Sequence, residues 1–257
     1  MKKIIFIVSA FALLGQSILL TAAEKPVVHL AGLRIVGPGY GLNGTELQAF
    51  YQKSGTTIAL VVEAPKNRKI VDIDDDKCSM TEFTDDAGNN LLDGIDWSGF
   101  PKISDDGLLA LVEVSSRTRP SMGAVRIHAR GTVYMRVAAS DVSEKIDHLK
   151  LQVGQTAQIY GETVKVMKVE AENDGLTLVI QISRNLKDNM KDIRFYTVGG
   201  DPVEILGRGS FTFGNAAQME YNLDQKSIPE ALKVEIDVWK ELETLNLPFD
   251  IKSGVGF

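Results

Sequence analysis

Apolar and polar residues alternate with period two along most of the chain. In T-T-I-A-L-V-V-E, Ile58, Leu60 and Val62 fall in one phase. In G-L-T-L-V-I-Q-I-S, Leu176, Leu178, Ile180 and Ile182 share a phase, opposite Thr177, Gln181 and Ser183. The clearest run is A-L-K-V-E-I-D-V-W, where Leu232, Val234, Ile236 and Val238 alternate with Lys233, Glu235, Asp237 and Trp239. Val125, Ile127 and Ala129 alternate in the same way with Arg126, His128 and Arg130. Successive side chains of a strand point to opposite faces, so this pattern predicts strands with one face in a core and one in water, as in antiparallel sheet. Turn-forming clusters separate them: Asp85-Asp86-Ala87-Gly88-Asn89-Asn90, Asp105-Asp106-Gly107, Asn173-Asp174-Gly175 and Gly199-Gly200-Asp201. No long stretch carries the 3.6-residue period of a helix.

The two halves echo each other in order. Ile58-Leu60-Val62 corresponds to Leu178-Ile180-Ile182, Phe83 and its Asp-Asp-Ala-Gly turn to Phe195 and its turn, and Val125-Ile127 to Val234-Ile236. Each half is close to the roughly 100 residues of an immunoglobulin-type sandwich. In this patterning the chain resembles tandem immunoglobulin-like or fibronectin-like modules of bacterial exported proteins, though it lacks the Cys–Trp–Cys signature. The resemblance implies an all-β fold of two tandem antiparallel β-sandwich domains, residues 24–140 and 141–257. The junction is expected between Ala138 and Lys150, where S-D-V-S-E-K-I-D-H-L-K breaks the alternation.

The N-terminus changes the picture by adding a compartment. Met1-Lys2-Lys3 precedes an apolar run from Ile4 to Leu14, extended by Ile18 to Leu20, and small residues Thr21-Ala22-Ala23 follow. That is the three-part pattern of a signal peptide over residues 1–23, cut after Ala23, and it predicts a periplasmic or secreted protein. No later apolar run is long enough to span a membrane as a helix. The formal charge of −6 becomes more negative once Lys2 and Lys3 are removed. A net acidic chain is poorly suited to nucleic acid. The single cysteine, Cys78, forbids an internal disulfide, so core packing must hold the fold.

Candidate chemistry concentrates in a few places. Lys69 to Leu91 is densely acidic. Its spacing does not fit the helix-loop-helix calcium loop, but Asp74, Asp75, Asp76, Asp85 and Asp86, with Asp93 and Asp96, are candidate calcium ligands if they meet at one end of a sandwich. The other reading is strand ends and hairpin turns facing water. Trp97, in the loop-like D-G-I-D-W-S-G-F-P, either stacks on a sugar ring or plugs its own loop. Arg126, His128 and Arg130 line one strand face and are candidates to bind an acidic partner or to pair across strands with the acidic run. Trp239 falls in the polar phase of its strand and is a candidate contact surface.

Catalytic signatures are sparse. Gly39-Tyr40-Gly41-Leu42-Asn43-Gly44 spells G-x-G-x-x-G, but Gly55 ends any following helix early, so a glycine-rich loop is expected instead of a dinucleotide site. His29, His128 and His148 are far apart, and neither H-E-x-x-H nor G-x-S-x-G occurs. The sequence therefore points to an exported, non-catalytic binding, adhesion or scaffolding protein with a protein or glycan partner and no cofactor beyond an optional calcium ion. The alternatives are a calcium-dependent carbohydrate-binding module or a glycosidase, which would need two carboxyl groups roughly 5 to 9 Å apart.

Overall fold

A computed structural model describes residues 26–38, 40–42, 45–47, 54–97, 101–172 and 175–255. The expected signal peptide lies outside the described residues, as does Phe100. The chain runs through β1 (Val28–Val36), β2 (Tyr40–Leu42), β3 (Thr45–Leu47), β4 (Gly55–Glu63), β5 (Lys69–Ile73), β6 (Ser79–Asp85), β7 (Asp96–Trp97), β8 (Lys102–Ile103), β9 (Leu109–Ser116) and β10 (Arg126–Ala138). It continues through β11 (Ser140–Lys150), β12 (Thr156–Ile159), β13 (Glu162–Glu172), β14 (Gly175–Ser183), the short helix α1 (Arg184–Asn189), β15 (Met190–Thr197), β16 (Pro202–Val203), β17 (Ile205–Phe213), β18 (Ala216–Leu223), β19 (Ala231–Lys240) and β20 (Glu243–Gly254). The expected all-β, antiparallel architecture is what these strands build. Within the glycine-rich motif, Tyr40–Leu42 forms β2, which pairs with β3.

Two pairs of sheets each enclose one core. The sheet β1-β4-β9-β7, with β8 also on β9, faces the sheet β20-β10-β5, with β6 on the first half of β10. Ile58, Leu60, Val62, Phe83, Val112, Val133 and Met135 meet between them. The second pair is β11-β19-β15-β16 against β12-β13-β14-β18-β17, closing on Leu178, Ile180, Phe195, Tyr221, Val234 and Ile236. The period-two phases of β4, β14 and β19 therefore bury the residues the sequence assigns inward.

The last strand has an origin the sequence does not reveal. Residues 141–257, expected as one unit, supply strands to both cores: β11 to β19 feed the second, and β20 returns to the first, where Leu247 and Phe249 are buried. The strands that build the second core are thus inserted between two paired strands of the first. S-D-V-S-E-K-I-D-H-L-K, where the junction was expected, is itself the edge strand β11.

Both crossings lie in one ladder. Only Ala139 separates β10 from β11, and only Glu241 and Leu242 separate β19 from β20. The pairing keeps its register through the crossing: Arg126 opposes Gly254, Val137 opposes Glu243, Ser140 opposes Lys240 and Ile146 opposes Val234. The Ala139 N–H donates to the Lys240 carbonyl at 3.3 Å. Arg68 braces the crossing by donating to the Glu241 carbonyl at 2.6 Å. A two-stranded ribbon therefore runs from the first core into the second.

Candidate functional site

The acidic run resolves into turns and strand ends. The Asp74 carbonyl accepts from the N–H groups of Lys77 and Cys78 at 3.1 Å each, and its carboxylate pairs with Lys77. Asp85 is buried at the end of β6. One of its oxygens accepts from the N–H groups of Ala87 and Asn89, at 3.0 and 2.8 Å, and the other from Ser121 at 2.6 Å. These donors, Ser121 first, hold its carboxyl below the usual range. Asp86 accepts from the Val125 N–H at 3.1 Å. The Asp93 carbonyl takes the Arg117 N–H, and Asp96 lies exposed in β7, while Asp75 and Asp76 sit in the β5–β6 turn. The seven candidates do not converge. Among the described residues no three His, Cys, Asp or Glu side chains are grouped to hold a metal ion.

The basic face of β10 is matched by acids on both flanking strands. His128 reaches Glu82 of β6 through Nδ1 at 2.9 Å and Asp250 of β20 through Nε2 at 2.6 Å. Only a ring protonated on both nitrogens donates to both carboxylates at once. Arg130 contacts Glu82 at 3.3 Å and donates to Asp250 through Nε and Nη2. The hydrogen bond from His128, then that from Arg130, draws the Asp250 carboxyl down. Arg126 lies exposed at the start of the strand. Cross-strand pairing thus engages two of the three basic residues. Glu82 comes from the acidic run, but Asp250 had no sequence signal, because nothing local places β20 beside β10.

Each tryptophan sits against structure. Trp97 is half-buried in β7, edge-on to Phe249 with ring centroids 6.5 Å apart. Trp239 opposes Asp141 at the crossing, with the Lys191 ammonium 4.9 Å from its ring centroid and Lys191 paired to Asp141 at 2.9 Å. It lines a polar cleft between the two sheet pairs, along with Asp72, Asp106, Arg136, Lys187 and Lys191. Arg136 spans the cleft by donating to the Asp188 carbonyl at 2.8 Å, and burial pushes the Asp72 carboxyl up.

A close carboxylate pair does occur on the outer face of β19. The Ser143 hydroxyl reaches Glu235 and Asp237 at 2.8 and 2.5 Å, and Arg194 clamps both oxygens of Asp237 at 2.8 Å. Asp237 is lowered chiefly by Arg194, and Glu235 chiefly by Ser143. A glycosidase acid must stay protonated near neutrality, which requires a raised carboxyl. This pair is held ionised and cross-linked instead.

Among the described residues the most exposed aromatic surface is one that sequence reasoning missed. β17 is the edge of its five-stranded sheet. On its outer face Phe211 is 68% exposed and Phe213 41%, with their rings stacked at 6.0 Å. Gly209 and Phe211, with Met167, Val179, Gln218 and Glu220, shape a shallow groove there. The signal was present in I-L-G-R-G-S-F-T-F, where Gly207, Gly209, Phe211 and Phe213 share a phase. Alternation alone does not say which phase faces the core, and two phenylalanines normally mark the inner one.

No family model matches the chain, and neither does any curated protein or solved structure.

Proposed function

We propose that this is an exported, non-catalytic binding and scaffolding protein. It is built from two immunoglobulin-like sandwich domains, the second carried on the first by a shared two-stranded ribbon. What supports this reading above all is the stacked Phe211–Phe213 pair on a bare sheet edge, because large exposed aromatics grouped on one face mark interaction surfaces. The ribbon, with Arg68 and Arg136 bracing its crossing, joins the sheet pair that carries that surface to the other. The charged groups that resemble chemistry are engaged by one another: Glu82, His128, Arg130 and Asp250 in one domain, Ser143, Arg194, Glu235 and Asp237 in the other.

A photo-crosslinking residue at position 211 tests this in cells expressing the chain. The expected result is one discrete adduct from position 211 and none from Val153, which is also exposed, in the turn before β12 at the opposite edge of the same sheet. No adduct at 211, or the same adducts from both positions, sinks the reading.

A further inference from the structure

Among the described residues, β17 lacks most of the devices by which edge strands avoid association. Protection normally comes from charges, proline, bulges or a covering segment. β11 exposes Asp141, Glu144, Lys145 and Asp147, and β20 carries Pro248, Asp250 and Lys252. β17 is hydrogen-bonded to β18 along one side, and its one bulge lies at its start, between Ile205 and Gly207. The only charge in its nine residues is Arg208, which points to Asp192 at 3.5 Å.

The two glycines of the strand carry the idea further. Gly207 and Gly209 have no positive φ, and a Cβ at either would meet only ordinary contact, at 3.6 Å with Asn222 and 3.7 Å with Glu220. Among the described residues nothing requires glycine at these positions. Yet they share a face with Phe211 and Phe213, and glycine in an exposed strand costs stability.

We infer that the occupant of this edge is a second copy of the chain, with the two β17 strands paired antiparallel about a two-fold axis at Ser210; this rests on the reading of the β17 face as the binding surface. In that register Phe211 lies opposite Gly209 and Phe213 opposite Gly207, in both directions. Each ring covers bare backbone on the partner, so two strands with the same sequence are complementary, as an isologous contact requires. In this register Arg208 faces Thr212, whose hydroxyl accepts from Lys187 of its own chain at 2.6 Å, whereas a two-fold placed at Arg208 would oppose two guanidinium groups directly. The five-stranded sheets join into one continuous sheet of ten.

The test uses the full chain. Sedimentation of the wild-type protein is expected to show a dimer at about 100 μM, a concentration that captures even weak strand-edge contacts. Replacing Phe211 and Phe213 by Lys should give a monomer whose melt matches that of the wild type at low concentration, where the wild type is dissociated too, since both rings are exposed. Register is read by cysteine. Residues on the axis of antiparallel strands are about 4.5 to 5.5 Å apart at Cα, within disulfide range. Ser210→Cys should therefore cross-link under mild oxidation, and Thr212→Cys should not. A wild-type monomer overturns the proposal, as does equal cross-linking at 210 and 212. If the protein is monomeric while position 211 still captures a different molecule, the second copy is wrong and the binding surface stands. If position 211 captures nothing, both fall.

Discussion

β20 and β17 are both edge strands, and they are written in opposite ways. β20 alternates buried Leu247 and Phe249 with exposed Pro248, Asp250 and Lys252, so its inner face fills a core and its outer face is closed to further pairing. β17 sends no phenylalanine inward and sets Phe211 and Phe213 on the face away from the core, beside two glycines. One strand completes its own sheet pair. The other leaves its sheet pair incomplete, with apolar surface that folding did not bury. The lesson is that the strand farthest in sequence from its partners is the intramolecular one, and that the head it helps carry presents the unfinished edge.

Removing β20 should break this comparison most severely. A chain ending at Glu241 loses Leu247, Phe249 and the whole Arg126–Val137 ladder, while the second core draws only on residues 146–238. The ends of that inserted unit already pair, Ser140 with Lys240. Calorimetry and hydrogen exchange on the shortened chain are expected to show loss of the first core's transition and survival of the second's. A fragment of residues 140–240 should melt cooperatively on its own. If both transitions disappear together, the ribbon has made one cooperative unit and the two cores are not separable.

Most of the architecture was legible, because period-two phases are local. The inward sets Ile58-Leu60-Val62 and Leu232-Val234-Ile236 lie where alternation put them. The hairpin turn after Phe83 was legible for the same reason: Asp85 is the side chain that caps it. The return of β20 was not legible. Pairing across more than a hundred residues leaves no trace in a single sequence, and it is that pairing which brings Asp250 to His128 and Phe249 to Trp97. Of the two readings the acidic run left open, turns and strand ends are what the structure displays at Asp85, because backbone N–H groups, invisible in composition, fill its oxygens. The Phe211 face was missed because the rule that aromatics point inward fails at an edge whose inner phase is Arg208, Ser210 and Thr212.

Two phenylalanine truncations sharpen the contrast. Phe249→Ala removes a buried ring that lies on Gly131 and meets Trp97, and should cost roughly 3 to 5 kcal/mol in urea denaturation. Phe211→Ala removes a ring of similar size and should change stability by no more than about 0.5 kcal/mol. Equal losses would mean that Phe211 is part of a core and that β17 is not a free edge.

Acid should separate the same two regions by a smaller amount. The Asp250 carboxyl in the first unit and the Asp237 carboxyl in the second are both lowered by their partners on folding. A carboxyl lowered in the folded state contributes stability that is present above its unfolded value and is lost as pH falls through the folded one. Both cores should therefore weaken as the medium is brought down through the ordinary carboxylate range and below it, with Asp85 adding the same sign to the first. Asp237 is nearly buried and clamped on both oxygens by Arg194, whereas Asp250 is exposed and its pairs are screened by water. Asp237→Asn should thus flatten the acid dependence of the second core's transition more than Asp250→Asn flattens that of the first, followed by urea melts at neutral and acidic pH. An equal or reversed order would mean that the His128 clamp on β20, and not burial, sets the strength of these pairs.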